Sequence, residues 1–173
     1  MTSKTQIIER YWHELILLSG NRYDPVTLPR PADVRLLEAL RTSIGSLDCS
    51  DLIAGLAVAD GYSGLFDDPN FGMIGFFSTS QILSDYPVPP RQDSIPVIRR
   101  SSKGVKRHSY SENRISFAWS DYWIFFQDFD PATGGTSGQI VAANTWDEEC
   151  RLVSVSYIDF LKRGIEVLGH LPN

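Results

Sequence analysis

The chain of 173 residues is 42% hydrophobic and 12% aromatic, enough apolar material for one packed domain and too much for a disordered chain. No window reaches the ~18 consecutive apolar residues of a membrane-spanning helix. The stretch from Met1 to Arg10 also lacks the apolar core of a signal peptide, so a soluble cytoplasmic protein without a membrane partner is expected. A net charge of −5 argues against nucleic acid as a partner, because neutralising phosphates takes a basic face.

The first element is a helix. Ile7, Ile8, Tyr11, Trp12, Leu15 and Ile16 recur at spacings of three and four, and Gly20 supplies a stop. Leu28 to Pro31 leads, extended, into a second helix whose apolar positions Val34, Leu37 and Leu40 share a face and which ends near Gly45. Asp48 or Ser50 caps a third helix through Leu52, Ile53 and Leu56, stopped by Asp60-Gly61. Gly72 to Phe77 reads as a buried strand and Ser78 to Tyr86 as a short helix, after which Pro87, Pro89 and Pro90 break regularity.

From about 87 to 113 the chain is polar and basic, and a flexible loop, or one holding a short strand around Ile95 to Ile98, is expected. Arg99, Arg100, Lys103, Lys106, Arg107 and Arg114 face one acid, Glu112, for a local charge of +5, which leaves −10 on the rest of the chain. Such a run is either a solvated loop or a partner-binding patch. A hairpin follows, with Ile115, Phe117 and Trp119 on one strand, a turn at Ser120-Asp121, and an aromatic strand from Tyr122 to Phe129. Gln139 to Asn144 and Arg151 to Val155 add two strands around the acidic turn Asp147, Glu148 and Glu149. A final helix is capped at Ser156 with Asp159 behind it and turns Ile158, Leu161, Ile165 and Leu168 to the sheet. Helices first and antiparallel strands later define an α+β fold, an antiparallel or mixed sheet flanked by N-terminal helices and a C-terminal helix, in a single domain over residues 1–173.

The residues that could carry chemistry are few. Asp128 and Asp130 stand two apart and project to one side of a strand, as a divalent cation would need, although Pro131 points instead to Asp130 shaping a turn by accepting backbone hydrogen bonds. The loop from Thr133 to Gly138 is glycine-rich but lacks the lysine and helix of a phosphate loop. His13, His108 and His170 fall in unrelated settings, and Cys49 and Cys150 form no metal-binding spacing, so reduced thiols and no cofactor or metal are expected. Among the tryptophans, Trp12 and one of Trp119 or Trp123 are expected in the core. Trp146, beside the acidic turn, is the candidate exposed aromatic.

Three blocks carry a family resemblance: Asn113-Arg114-Ile115-Ser116-Phe117, Phe126-Gln127-Asp128-Phe129-Asp130-Pro131, and Gly135-Thr136-Ser137-Gly138-Gln139-Ile140-Val141. Together they resemble the signature of the SUKH superfamily, the Smi/Knr-like domains of bacterial toxin-immunity proteins and fungal cell-wall assembly regulators. Phe117, Asp128, Asp130, Pro131, Gly138 and Gln139 are the residues that match, with Ser116 standing where the family has proline. The resemblance implies helices flanking an antiparallel sheet, no catalytic constellation, and a non-catalytic protein-binding role. The leading expectation is an immunity protein that neutralises a cognate toxin, with a nuclease as one candidate. A regulatory scaffold for cell-wall synthesis or signalling is the alternative, and a small metal-dependent enzyme using Asp128 and Asp130 is the third. Acidic balance suits a basic toxin, since complementary charge speeds association. The candidate partner-binding residues are therefore Asp60, Asp67, Asp68, Trp146, Asp147, Glu148 and Glu149, with Arg99, Arg100, Lys106 and Arg107 from the basic run.

Overall fold

The computed structural model describes residues 3–20, 29–85, 97–108, 110–144 and 146–170. In chain order these form α1 (Lys4–Gly20), α2 (Val34–Ile44), α3 (Ser50–Leu56), β1 (Tyr62–Asp68), β2 (Gly72–Phe76), α4 (Thr79–Asp85), β3 (Arg100–Ser101), β4 (Arg114–Trp119), β5 (Ile124–Asp128), β6 (Gln139–Asn144), β7 (Glu149–Ser154) and α5 (Tyr157–His170). The sheet runs β1-β2-β4-β5-β6-β7-β3. Every neighbouring pair is antiparallel except β3 beside β7, so the fold is α+β with a mixed sheet.

Period-two alternation divides the sheet into two faces. Phe125, Ile140 and Ala142 point with Ile115 and Phe117 into the main core, where α1 and α5 bury Ile8, Trp12, Leu15, Phe160 and Leu161. Phe126, Val141 and Ala143 point the other way and form a second, smaller cluster with Cys150, Ile98 and Val105. The helices cover the first face; residues 97–108, a strap that includes β3, supply Ile98 and Val105 to cover part of the second.

Local chemistry explains the helix ends. The Asp33 carboxylate accepts from the Arg35 N–H at 2.7 Å, and Gly45 ends α2 at φ +67°. The Ser156 hydroxyl accepts from the Asp159 N–H at 3.1 Å and donates to its carboxylate at 2.5 Å, the reciprocal cap expected of the last helix. At the crossing of α3 with α1 and α5, a Cβ on Gly55 would lie 2.6 Å from both Trp12 Nε1 and the Tyr157 hydroxyl, so only glycine lets these elements approach.

Several sequence expectations require correction. β1 has no counterpart in the sequence reading, because Ser63 and Gly64 interrupt its pattern. Val34, expected on the buried face of α2, is exposed. The strand expected around Ile95 to Ile98 is found at Arg100–Ser101, while 95 and 96 lie outside the described residues. The first part of the expected loop, 87–96, lies outside them as well, whereas 97–108 is held against the sheet rather than projecting as a solvated run. Trp12 and Trp123 are buried, and both cysteines are free, buried thiols. No helix among the described residues is long and apolar enough to cross a membrane.

Candidate interaction surface

Arg114, Asp128 and Gln139 build a clamp for the strap. Arg114 on β4 and Asp128 on β5 are register partners, and both side chains are fully buried with Nε 3.2 Å from Oδ1. The Arg114 guanidinium also donates to the carbonyls of His108 and Lys106, so one cation holds two points of the strap. Gln139 Nε2 donates to the Gly104 carbonyl at 3.0 Å and to Asp128 Oδ2 at 3.1 Å. Gly104, at φ +80°, lies so close to the loop joining β5 and β6 that a Cβ on Gly135 would come within 2.3 Å of its oxygen.

Asp130 takes the Lys106 ammonium at 2.5 Å, and that hydrogen bond holds its carboxyl below the usual carboxylate range. Both aspartates of the pair raised as a cation site thus already face a cation of the protein itself. The turn is shaped by Asp128, whose Oδ1 accepts from the Asp130 N–H at 3.3 Å, and not by Asp130 as expected. Pro131 and Gly138 belong to the wide β5–β6 connection, which also contains the glycine-rich stretch, and Phe117 is in the main core. Among the described residues no group of three or more histidine, cysteine or acidic side chains is placed to hold a metal.

The expected acidic and basic patches meet each other. Arg99 Nε lies 2.6 Å from Glu148 Oε2, and the Glu148 carbonyl accepts from the N–H groups of Arg99 and Arg100 at 2.8 and 3.0 Å. Glu149 receives Arg151 at 2.8 Å and Arg100 at 3.8 Å, with the Arg151 hydrogen bond chiefly holding its carboxyl below the ordinary range. Two patches assigned to a partner from sequence therefore form one seam along β3 and β7, with charges of both signs at its surface.

Two of the remaining candidates do structural work. Asp68 is 1% exposed and accepts two hydrogen bonds from Arg163 on α5, at 2.6 and 3.0 Å, which removes it from any contact surface. Asp60 caps α4 by accepting from the N–H and hydroxyl of Thr79 at 2.5 and 2.7 Å. Arg114, counted in the solvated basic run, is the buried centre of the clamp. Asp67 and Arg107 are exposed.

Two of the exposed large hydrophobic side chains are aromatic. Trp146 is 85% exposed at the tip of the β6–β7 connection. Its position is fixed from below: Asn144, buried, accepts through Oδ1 from the N–H groups of Trp146 and Asp147 at 2.9 and 3.0 Å and donates from Nδ2 to the Asp147 carboxylate at 2.9 Å. Glu148 completes the turn at φ +52°, a left-handed conformation unusual for a side chain of its size. On the neighbouring tip, between β4 and β5, Tyr122 is 65% exposed. The pairing of Ile124 with Ala143 brings these two tips to the same end of adjacent strands. On β7, Arg151 stacks over the ring of Trp123, the residue after Tyr122, at 4.9 Å. In the sequence Tyr122 reads as part of the aromatic strand; the Ser120-Asp121 turn immediately before it is the signal that places it at a tip.

No protein-family model matches this sequence, and no curated protein matches it either.

Proposed function

We propose that this chain is a non-catalytic protein-binding domain of the toxin-immunity type, SUKH-like in its signature, with its contact surface at the sheet end that presents Trp146 and Tyr122. The observation that carries this reading is Trp146, a large aromatic 85% exposed on a turn that Asn144 holds in one shape. Tryptophan and tyrosine are favoured binding anchors because they bury much area at little conformational cost, and a turn ordered in advance lowers that cost further. A strained residue such as Glu148 beside the anchor is a feature that clusters at functional sites. Asp147 and the Arg99–Glu148 and Arg151–Glu149 pairs give the anchors a polar rim. The net charge of −5 favours a basic partner, as many nucleic-acid-cleaving toxins are.

The test is co-expression with a toxin encoded beside this gene. Cells producing the toxin with the wild-type chain are expected to survive, and cells producing it with the Trp146→Ala, Tyr122→Ala double variant are expected to die. No protection by the wild-type chain overturns the immunity reading; recovery of an endogenous cell-wall or signalling partner on the same two aromatics would assign the regulatory alternative instead.

A further inference from the structure

At the opposite end of the sheet from Trp146, a cleft of about 500 Å³ opens between α1, the α2–α3 connection, the β5–β6 connection and the start of α5. Its inner wall includes Gln127, which lies on the helix-facing side of β5 between Ile115 and Ile140. Gln127 is 2% exposed, and its Oε1 has no hydrogen-bond partner among the described residues. A buried acceptor left unmatched is costly, and native interiors rarely keep one without a reason.

The rest of the wall is rich in acceptors. Asp51 on α3 is 6% exposed and meets Lys4 at 2.8 Å, while the Lys4 side chain itself is 61% exposed. Asp48, also on the wall, is held below the ordinary carboxylate range by the hydroxyl and N–H of Ser50. Two carboxylates thus share one ammonium, that of Lys4, and leave the wall one negative charge in excess. Gly138, at φ +82°, lies beside the amide on the cleft wall, its Cβ position 3.7 Å from Gln127 Nε2.

From this arrangement we infer that the cleft is a binding site for a guanidinium or primary ammonium group, which places its charge on Asp51 and donates an N–H to Gln127 Oε1. Phosphate, which the glycine-rich loop suggests from sequence alone, is disfavoured because both wall carboxylates repel it. The inference is independent of the toxin-immunity reading, since the two sites lie at opposite ends of the sheet and share no residue.

The experiment is an NMR titration of the full chain with Nα-acetyl-arginine amide, with Nα-acetyl-citrulline amide and inorganic phosphate run in parallel. The arginine compound is expected to give saturable shifts at the Gly138 amide and the Gln127 side-chain NH₂, and the other two none. Asp51→Asn is expected to weaken binding about tenfold or more, as befits loss of one charge-assisted contact. Gln127→Met is expected to abolish binding while keeping or raising Tm, because it removes the unmatched acceptor. A short arginine-containing peptide that binds more tightly than the amide assigns the group to a partner chain, and equal affinity assigns it to a free small molecule. Absence of saturable shifts with the wild-type chain, an equal response to citrulline amide, or saturable phosphate binding overturns the inference.

Discussion

Arg114 and Asp128, fourteen residues apart on paired strands, form an ion pair with both side chains fully buried, and through it the strap 97–108 is tied to the back of the sheet. Removing one partner strands the other charge without water. Arg114→Met is therefore expected to cost about 3–5 kcal/mol in urea unfolding, and the Arg114→Met, Asp128→Leu double variant less than the sum of the two single changes. Hydrogen exchange should locate the loss: the Ser102 and Val105 amides, bonded within and beneath the strap, are expected to lose protection before the β5 amides do.

The contact of Gly104 with Gly135 can be broken without touching a charge. Gly135→Ala places a methyl group 2.3 Å from the Gly104 oxygen and 2.7 Å from Pro131 Cβ, so the strap or the β5–β6 connection must shift. A loss of about 1–3 kcal/mol is expected, together with faster exchange of the Ala132 N–H that bonds to Gly104.

Asp68 and Arg163 join the edge strand β1 to α5 across a separation of 95 residues. Because the guanidinium binds with two nitrogens, at 2.6 and 3.0 Å, lysine is not a substitute. Both Arg163→Ala and Arg163→Lys are expected to lower stability, the first by about 2–3 kcal/mol, as read from denaturant midpoints at constant slope.

His108 adds a pH dependence. Burial, and then the Arg114 and Lys106 charges, hold its imidazole below the ordinary value of 6.5, with Asp128 and Asp130 opposing more weakly. The unfolded chain therefore takes up a proton near pH 6.5 that the folded chain refuses. The stability tied to neutral His108 is complete above that pH and drains away as pH falls from 6.5 through the lower folded value. A His108→Asn variant is expected to show a shallower decline over this window. The carboxyls of Asp130 and Glu149, also held low, lose their contributions only at more acidic pH.

Much of the fold is legible in the sequence because it rests on short-range patterns. The three- and four-residue spacing of Ile8, Trp12 and Leu15 predicts α1, and the Ser156–Asp159 cap predicts the start of α5. The alternation around Phe117 and Phe125 predicts the central hairpin. Hidden from the sequence are the pairings between distant segments. Asp68 reads as a surface acid because nothing nearby announces Arg163, and the acidic turn and basic run read as two surfaces because the parallel pairing of Arg100 with Glu149 is set only by the tertiary fold. The same holds for Gln127, whose place in an aromatic strand gives no sign of an unmatched oxygen. Trp146 was legible as an exposed aromatic because the residues after it are acidic; that Asn144 fixes its turn was not.

The proposed surface is most directly tested by calorimetric titration of the proposed partner, a toxin domain encoded beside this gene, with the wild-type chain and with Trp146→Ala, Tyr122→Ala. Both side chains point into solvent, so unfolding stability should stay within about 0.5 kcal/mol of wild type. The predicted result is a loss of affinity of about a hundredfold or more with that stability retained, the effect of removing two aromatic anchors. A folded double variant that binds the toxin within twofold of wild type would contradict the assignment of this end of the sheet as the contact surface.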